Sequence, residues 1–297
     1  MAALALSGCA SVREAAKAVT QGSPAVVRRS DPGSAGMLRN VAVIGLAPAA
    51  ANLPAGYGAL FESMIAVALE KDCRGVQTDL AAAGRLKSPP RVPGGAIDGH
   101  ALALLGRRQG VGFFVFGSLS DVRHAEEKTG FWLWKDTRYA ARVTVRVEAF
   151  DADTAAKILD ETIWQEMPLA ETVYQELQAG GRLDLDSLKG PLAAIHLKAA
   201  QRLCTVLREQ PWTGFVVAAD GGRLTISAGT RAGLAPGRLV DVFAAGRLLE
   251  SKEGLRYILP GPKIGTAEII SAAADEAQAV LREPGPSAAG GTVRISR

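Results

Sequence analysis

The stretch "RYAARVTVRVEAFDADTAAKILDETIWQE", residues 138–166, decides how this chain is read. Val143, Val145 and Val147 alternate with Thr144, Arg146 and Glu148, the period of a half-exposed antiparallel strand. "DADTAA", residues 151–156, is an Asp-rich turn, because Asp side chains bond their own backbone in such turns. "KILDETIWQE", residues 157–166, then returns as the hairpin partner.

Outward from this hairpin, strands and helices alternate. "VGFFVFGSLSDV", residues 111–122, reads as a strong strand, and "RHAEEK" after it as a charged loop that leaves His124 solvated. Upstream, "RNVAVIGL" at 39–46 is a short apolar, β-branched run and reads as a buried strand. "AGYGALFESMIAVALEKD" at 55–72 places Leu60, Met64, Val67 and Ala68 at helical spacing, so a helix is expected on that strand. Asp98 N-caps a helix running to about Arg108, which Gly110 closes. Downstream, Pro191 marks a helix start, with Leu192, Ile195, Ala199, Leu203 and Val206 on one face.

At "QPWTG", residues 210–214, the pattern changes to short apolar runs cut by glycine, with Asp220-Gly221-Gly222 as a hairpin signal. The expected fold class is therefore α+β. A mixed-sheet α/β domain covers 39–210, and a small all-β, barrel-like domain covers 211–297. Residues 10–38 are rich in Ser, Gly, Pro and charge, without a sustained apolar period, and read as a tether.

Composition is globular, with 48% hydrophobic and 22% charged residues and a mean hydropathy of +0.12. No apolar run is long enough for a bilayer-spanning helix. The net charge of +4 does not point to nucleic acid, because residues 39–210 carry twenty basic and twenty acidic residues and no basic stripe forms. Cys9, Cys73 and Cys204 lie far apart with no CxxC spacing, so no zinc constellation is expected. A Cys73–Cys204 disulfide is permitted in an oxidising compartment; two buried small hydrophobes fit equally well.

No GxSxG, HExxH, GxxxxGK[ST] or GxGxxG run occurs. "GYGALF" is a poor dinucleotide loop, and Asp98 beside His100 reads as an N-cap followed by a first-turn His rather than a tuned base. His196 falls beside an amphipathic stripe and needs no ligand to explain it. No catalytic residue, cofactor or metal is therefore assigned, and no enzyme is expected. "TGFWLWKDTRY", residues 129–139, gathers Phe131, Trp132, Trp134 and Tyr139. Such a cluster at a hairpin tip suits partner contact. Alternatively, Trp132 and Trp134 share one strand face and cap the core. The flanking "RHAEEK" and "KDTR" break the apolar alternation that a lipid-facing strand requires.

"LSGC" at residues 6–9 resembles the lipobox of bacterial lipoproteins. The resemblance implies that residues 1–8 are the remnant of a signal peptide. It implies a diacylglycerol on Cys9, which opens a lipidated tether over 9–38. Ala10 after the cysteine resembles an outer-membrane sorting signal. Several acyl chains would anchor the chain stably, where one is marginal. "NVAVIGL", "GVGFFVFGSLSDV" and "VRVEAFDADTAAKILDE" resemble a family of envelope lipoproteins: the curli-secretion CsgG type, the LpoB-type activators of penicillin-binding proteins, and the middle domain of flagellar assembly protein T. Ala155 stands where that family's hairpin has Gly, and Gly112-Phe113 where it has an acidic-aromatic pair.

The run with Gly229, Gly233 and Gly237 resembles the C-terminal domain of flagellar assembly protein T, where these glycines serve tight turns. The resemblance implies a non-enzymatic assembly or scaffold factor at the periplasmic face of the outer membrane, serving a cell-envelope machine, flagellar first. Its partners would be the outer membrane, through acyl chains on Cys9, and envelope proteins, with no nucleic acid. An activator of peptidoglycan synthases, or a homo-oligomeric CsgG-type secretion component, is the alternative.

Overall fold

The structure is a computed structural model that describes residues 36–47, 54, 56–86, 88–131, 134–283 and 285–296. Cys9 and Trp132 lie outside the described residues. The fold is α+β, with a five-stranded mixed sheet followed by a closed six-stranded barrel.

The sheet runs in the order β2 (Val76–Thr78), β1 (Arg39–Gly45), β3 (Phe113–Phe131), β4 (Trp134–Asp151), β5 (Lys157–Leu169). The first three strands are parallel and β3, β4 and β5 form an antiparallel meander. Val143, Val145 and Val147 are fully buried, as their alternation requires. They pack under α1 (Tyr57–Asp72) and α5 (Leu185–Glu209) in one core. The opposite face is covered at one end by α2 (Leu80–Arg85) and α3 (Gly99–Gln109), where Ala42, Ile44, Phe114, Phe116 and Phe150 are buried. Asp98 caps α3 by accepting from the backbone N–H of His100 and Ala101, and Gly110 closes it at φ +70°.

Three expectations need correction. α1 buries Tyr57, Phe61, Ile65 and Leu69, while Val67 is 64% exposed. Leu60 and Ala68 pack at the margin of that core and Met64 is half-buried, so of the expected stripe only Val67 turns outward, and the larger aromatic side chains hold the centre. Phe61 lies directly on the backbone of β3, and a Cβ on Gly117 would stand 2.2 Å from its ring. Gly58 of "GYGALF" serves close packing instead of phosphate: its carbonyl lies 2.0 Å from where a Cβ of Gly45 would be. Second, α5 begins at Leu185, capped by Asp184, whose side chain accepts from Ser187 N, so Pro191 lies inside the helix. Third, "RHAEEK" is no loop. β3 runs unbroken from Phe113 to Phe131. Next to it α4 (Glu171–Gln178) had no clear sequence signal.

Cys73 and Cys204 form a disulfide, Cα–Cα 5.4 Å, that joins the C-terminus of α1 to α5. The barrel closes in the order β11 (Lys263–Ala272), β12 (Ala277–Leu281), β7 (Arg223–Ile226), β6 (Gly214–Asp220), β13 (Thr292–Ile295), β8 (Leu239–Phe243). A separate ribbon pairs β9 (Arg247–Glu250) with β10 (Arg256–Leu259). Gly233 and Gly237 take left-handed φ, and a Cβ on Gly229 would stand 2.1 Å from Ala273 O. Met37 sits in the barrel core although Arg39 opens β1, so the segment just before the sheet packs against the barrel.

Candidate interaction surfaces

The far end of the β3–β4 hairpin projects beyond the sheet. β1 leaves β3 after the Gly45–Gly117 pair, and β5 leaves β4 at the Leu169–Tyr139 pair. Residues 127–131 and 134–138 therefore pair only with each other, a ribbon of about 17 Å at the usual rise. The structure sets Phe131 opposite Trp134 as the last pair before the tip. Tyr139 lies at the ribbon's base, its ring 4.5 Å from that of Tyr174 on α4, and His124 packs edge-on to the same Tyr174 at 5.6 Å. His124 is thus half-buried against an aromatic rather than solvated in a loop. Desolvation, then the Glu171 and Glu126 carboxylates, raise the Tyr139 phenol above its ordinary value.

On the open face of β4 and β5 lies a charge ladder. Arg142 reaches Glu166 at 2.6 Å, and Arg146 reaches Asp160 at 2.8 Å. Lys157 reaches Glu148 at 2.5 Å and Asp160 at 2.8 Å. The Arg146 hydrogen bond is the largest cause drawing the Asp160 carboxyl down to about 2, and Lys157 adds to it. Within this ladder Trp164 is 51% exposed, with the Arg142 guanidinium 4.4 Å above its ring. Trp164 drew no notice in the sequence because one aromatic in an alternating strand has no signature of its own.

The two units meet at the "DADT" turn. Asp151 accepts from Asp153 N at 2.9 Å and from Thr154 Oγ1 at 2.7 Å, which fixes the turn. The Asp153 side chain then takes Arg294 of the barrel at 3.0 Å and Arg107 of α3 at 3.7 Å. Arg107 also donates to Asp153 O and, across the joint, to Gly290 O. Burial lowers the Arg107 guanidinium, with Asp153 and Asp151 opposing. Arg256 of β10 pairs with Asp98 at 3.1 Å, and Ile258 N donates to Thr154 O. Arg39 donates twice to Gln210 O, and Trp212 Nε1 donates to Leu38 O. Sequence reasoning missed this joint, since Arg107 and Arg294 are ordinary residues of a helix end and a short strand.

The chemistry-bearing residues do not converge. His100 takes part in a helix start, and Arg256 and Arg107 stand near enough to lower its imidazole along with burial, the largest cause. His196 is buried between Tyr57 Oη at 3.4 Å and Met64 Sδ at 3.0 Å, and desolvation lowers it to about 4. Among the described residues no group of three or more His, Cys, Asp or Glu is placed to hold a metal, and no helix is long and apolar enough to cross a membrane. A cleft between the units, lined by Arg39, Gln109, Asp151 and Ser227, has a free volume of about 40 Å³. That is room for a water or two, against several hundred Å³ for a metabolite.

No protein-family model matches the chain, and no curated protein matches it in sequence. Among solved structures it is similar to a hypothetical protein from Chlamydia trachomatis, at 16% identity and TM-score 0.33, covering 58% of this chain and 96% of that one. It is similar to a minor lipoprotein from Acinetobacter baumannii, at 13% identity and TM-score 0.27, covering 57% and 92%. It is also similar to a lipoprotein from Neisseria meningitidis, at 11% identity and TM-score 0.29, covering 48% and 94%. At these values the role of the chain has to be argued from its own residues.

Proposed function

We propose that the chain is a lipid-anchored cell-envelope protein, held at the periplasmic face of the outer membrane by acyl chains on Cys9. Its role is non-enzymatic: an assembly or scaffold factor that presents rigid surfaces to protein partners of an envelope machine, a flagellar one first. The observation that carries the envelope assignment is the Cys73–Cys204 disulfide. Bonds of this kind persist in oxidising compartments and are rare in a reducing cytosol. The lipobox at 6–9 supplies the membrane half of the reading, and the locked joint between the two units supports a scaffold role.

Thiol trapping in intact cells tests the compartment. Cells are quenched in acid and treated with a maleimide–polyethylene glycol, with and without prior reduction. Cys73 and Cys204 should add the tag only after reduction. Two tags without reduction would overturn the envelope reading.

The projecting β3–β4 ribbon favours a second reading, an oligomeric secretion component. Arg123, Glu126, Glu127 and Lys128 on β3 oppose insertion of that ribbon in lipid. Sedimentation in detergent separates the two, a single protomer mass supporting the scaffold and a ring mass the pore.

A further inference from the structure

We propose that the outer edge of β5, with α5 beside it, is a docking groove for an extended segment of a partner protein, added as a sixth strand. The segment alternates acidic and β-branched residues.

β5 is the terminal strand of the sheet and is thirteen residues long. Among the described residues no backbone group outside β4 bonds to it. Apart from Pro168, which has no N–H, and Glu166 O, which accepts from Gln165 Nε2, the edge amides and carbonyls face a vacant strand position, the setting for strand addition. A groove of about 800 Å³ runs along it, lined by Glu161 to Gln165 on the strand and Lys198, Gln201, Arg202 and Thr205 on α5. Strand and helix thus make a floor and a wall.

Sterics select the occupant. α5 lies across β5 more than across β4. A second folded copy paired edge to edge would also have to seat its own α5, which packs on its own β5, alongside the first. Packed helices need 8–10 Å. A lone strand brings no helix and fits.

The two faces of the added strand set its chemistry. Side chains turned toward α5 meet Lys198, which holds Gln165 at 3.1 Å, and Arg202, which lies 3.7 Å from Glu161 and is 68% exposed. Two cations against one carboxylate call for acidic residues there. Side chains on the open face meet Thr162 and the half-exposed Trp164. The flanking carboxylates, Asp160 and Glu166, are already engaged by Arg146 and Arg142. A β-branched residue beside an exposed aromatic is a favourable cross-strand pair.

The test uses the full chain and two capped nonapeptides, one alternating Val with Glu and one alternating Val with Lys. Hydrogen exchange locates binding, and low-salt titration measures it. The Val/Glu peptide should slow exchange along β5 and bind at least tenfold more tightly than the Val/Lys peptide. Lys198→Glu with Arg202→Glu, both exposed positions, should reverse that preference. Thr162→Pro should weaken the Val/Glu peptide tenfold or more, with α5 exchange unchanged as the control for folding. Unaltered β5 exchange at saturating peptide, or a preference that the double charge reversal leaves in place, would overturn the proposal.

Discussion

Opening the Cys73–Cys204 bond should weaken the α/β unit by several kcal/mol. The two cysteines are separated by 131 residues, and the bond ties α1 to α5, the two helices that cover one face of the sheet. In the chain-entropy description, a loop of that length removes about 17 cal/mol/K from the unfolded chain, or roughly 5 kcal/mol at 25 °C. Measured disulfides generally deliver somewhat less, so about 3–5 kcal/mol is expected. Both sulfurs sit in the buried cluster with Leu69, Ala200 and Leu203, so a Cys73→Ala, Cys204→Ala variant keeps most of the packing and loses chiefly the cross-link. For a unit of this size each kcal/mol is worth about 2–4 °C in Tm. Urea unfolding of wild type, with and without reductant, and of the double variant gives the number. A loss under about 1 kcal/mol in both would show that the bond does not restrain the unfolded chain as argued, and the structural reason for keeping it would fail.

Three further outcomes follow from the buried groups. His196 is held neutral with a pKa of about 4, below the 6.5 of the unfolded chain, so unfolding takes up a proton between those values. Stability should be full above pH 6.5, fall by about 3 kcal/mol as pH drops to 4, and level off below; His196→Leu should flatten that part of the urea-midpoint profile. Asp153→Ala leaves the half-buried Arg107 and Arg294 guanidinium groups without their shared carboxylate and should cost about 1–3 kcal/mol. In that variant hydrogen exchange should quicken at the joint, around Gly290 and Thr154, before it does in the sheet centre. Ala155 has φ +61° in the turn, so Ala155→Val should cost about 2 kcal/mol or more in thermal unfolding, while Ala155→Gly should stay within about 1 kcal/mol of wild type.

What the sequence showed clearly was whatever one buried face imposes on one element. The Val143–Val147 alternation, the Asp98 cap and the glycine-cut runs after residue 210 each answer to a local rule, and each is where it was expected. Where neither face is buried, the rule loses its signal. Residues 125–128 of β3 are exposed on both sides, so "RHAEEK" lacks the period-two pattern and reads as a loop. Where two faces compete, periodicity alone cannot choose, and α1 turned its Tyr57–Phe61 side inward. Pro191 shows a related limit: an Asp184 cap about two turns earlier outweighed it as the helix start. The joint at Asp153 and the half-exposed Trp164 depend on residues brought together from 46 to 141 positions apart, or from a neighbouring strand, and no spacing along the chain announces either. Ala155 is the instructive case between. Its place in the turn was marked by resemblance, and the left-handed backbone there explains why glycine is the residue such a turn favours.

The account as a whole rests on Cys9 as the membrane anchor. Metabolic labelling with an alkyne palmitate analogue, followed by membrane fractionation of wild type and Cys9→Ser, tests it most directly. The prediction is label in the wild type, found with the outer membrane, and neither label nor membrane association in Cys9→Ser. An unlabelled wild type recovered from the cytosol would contradict the account.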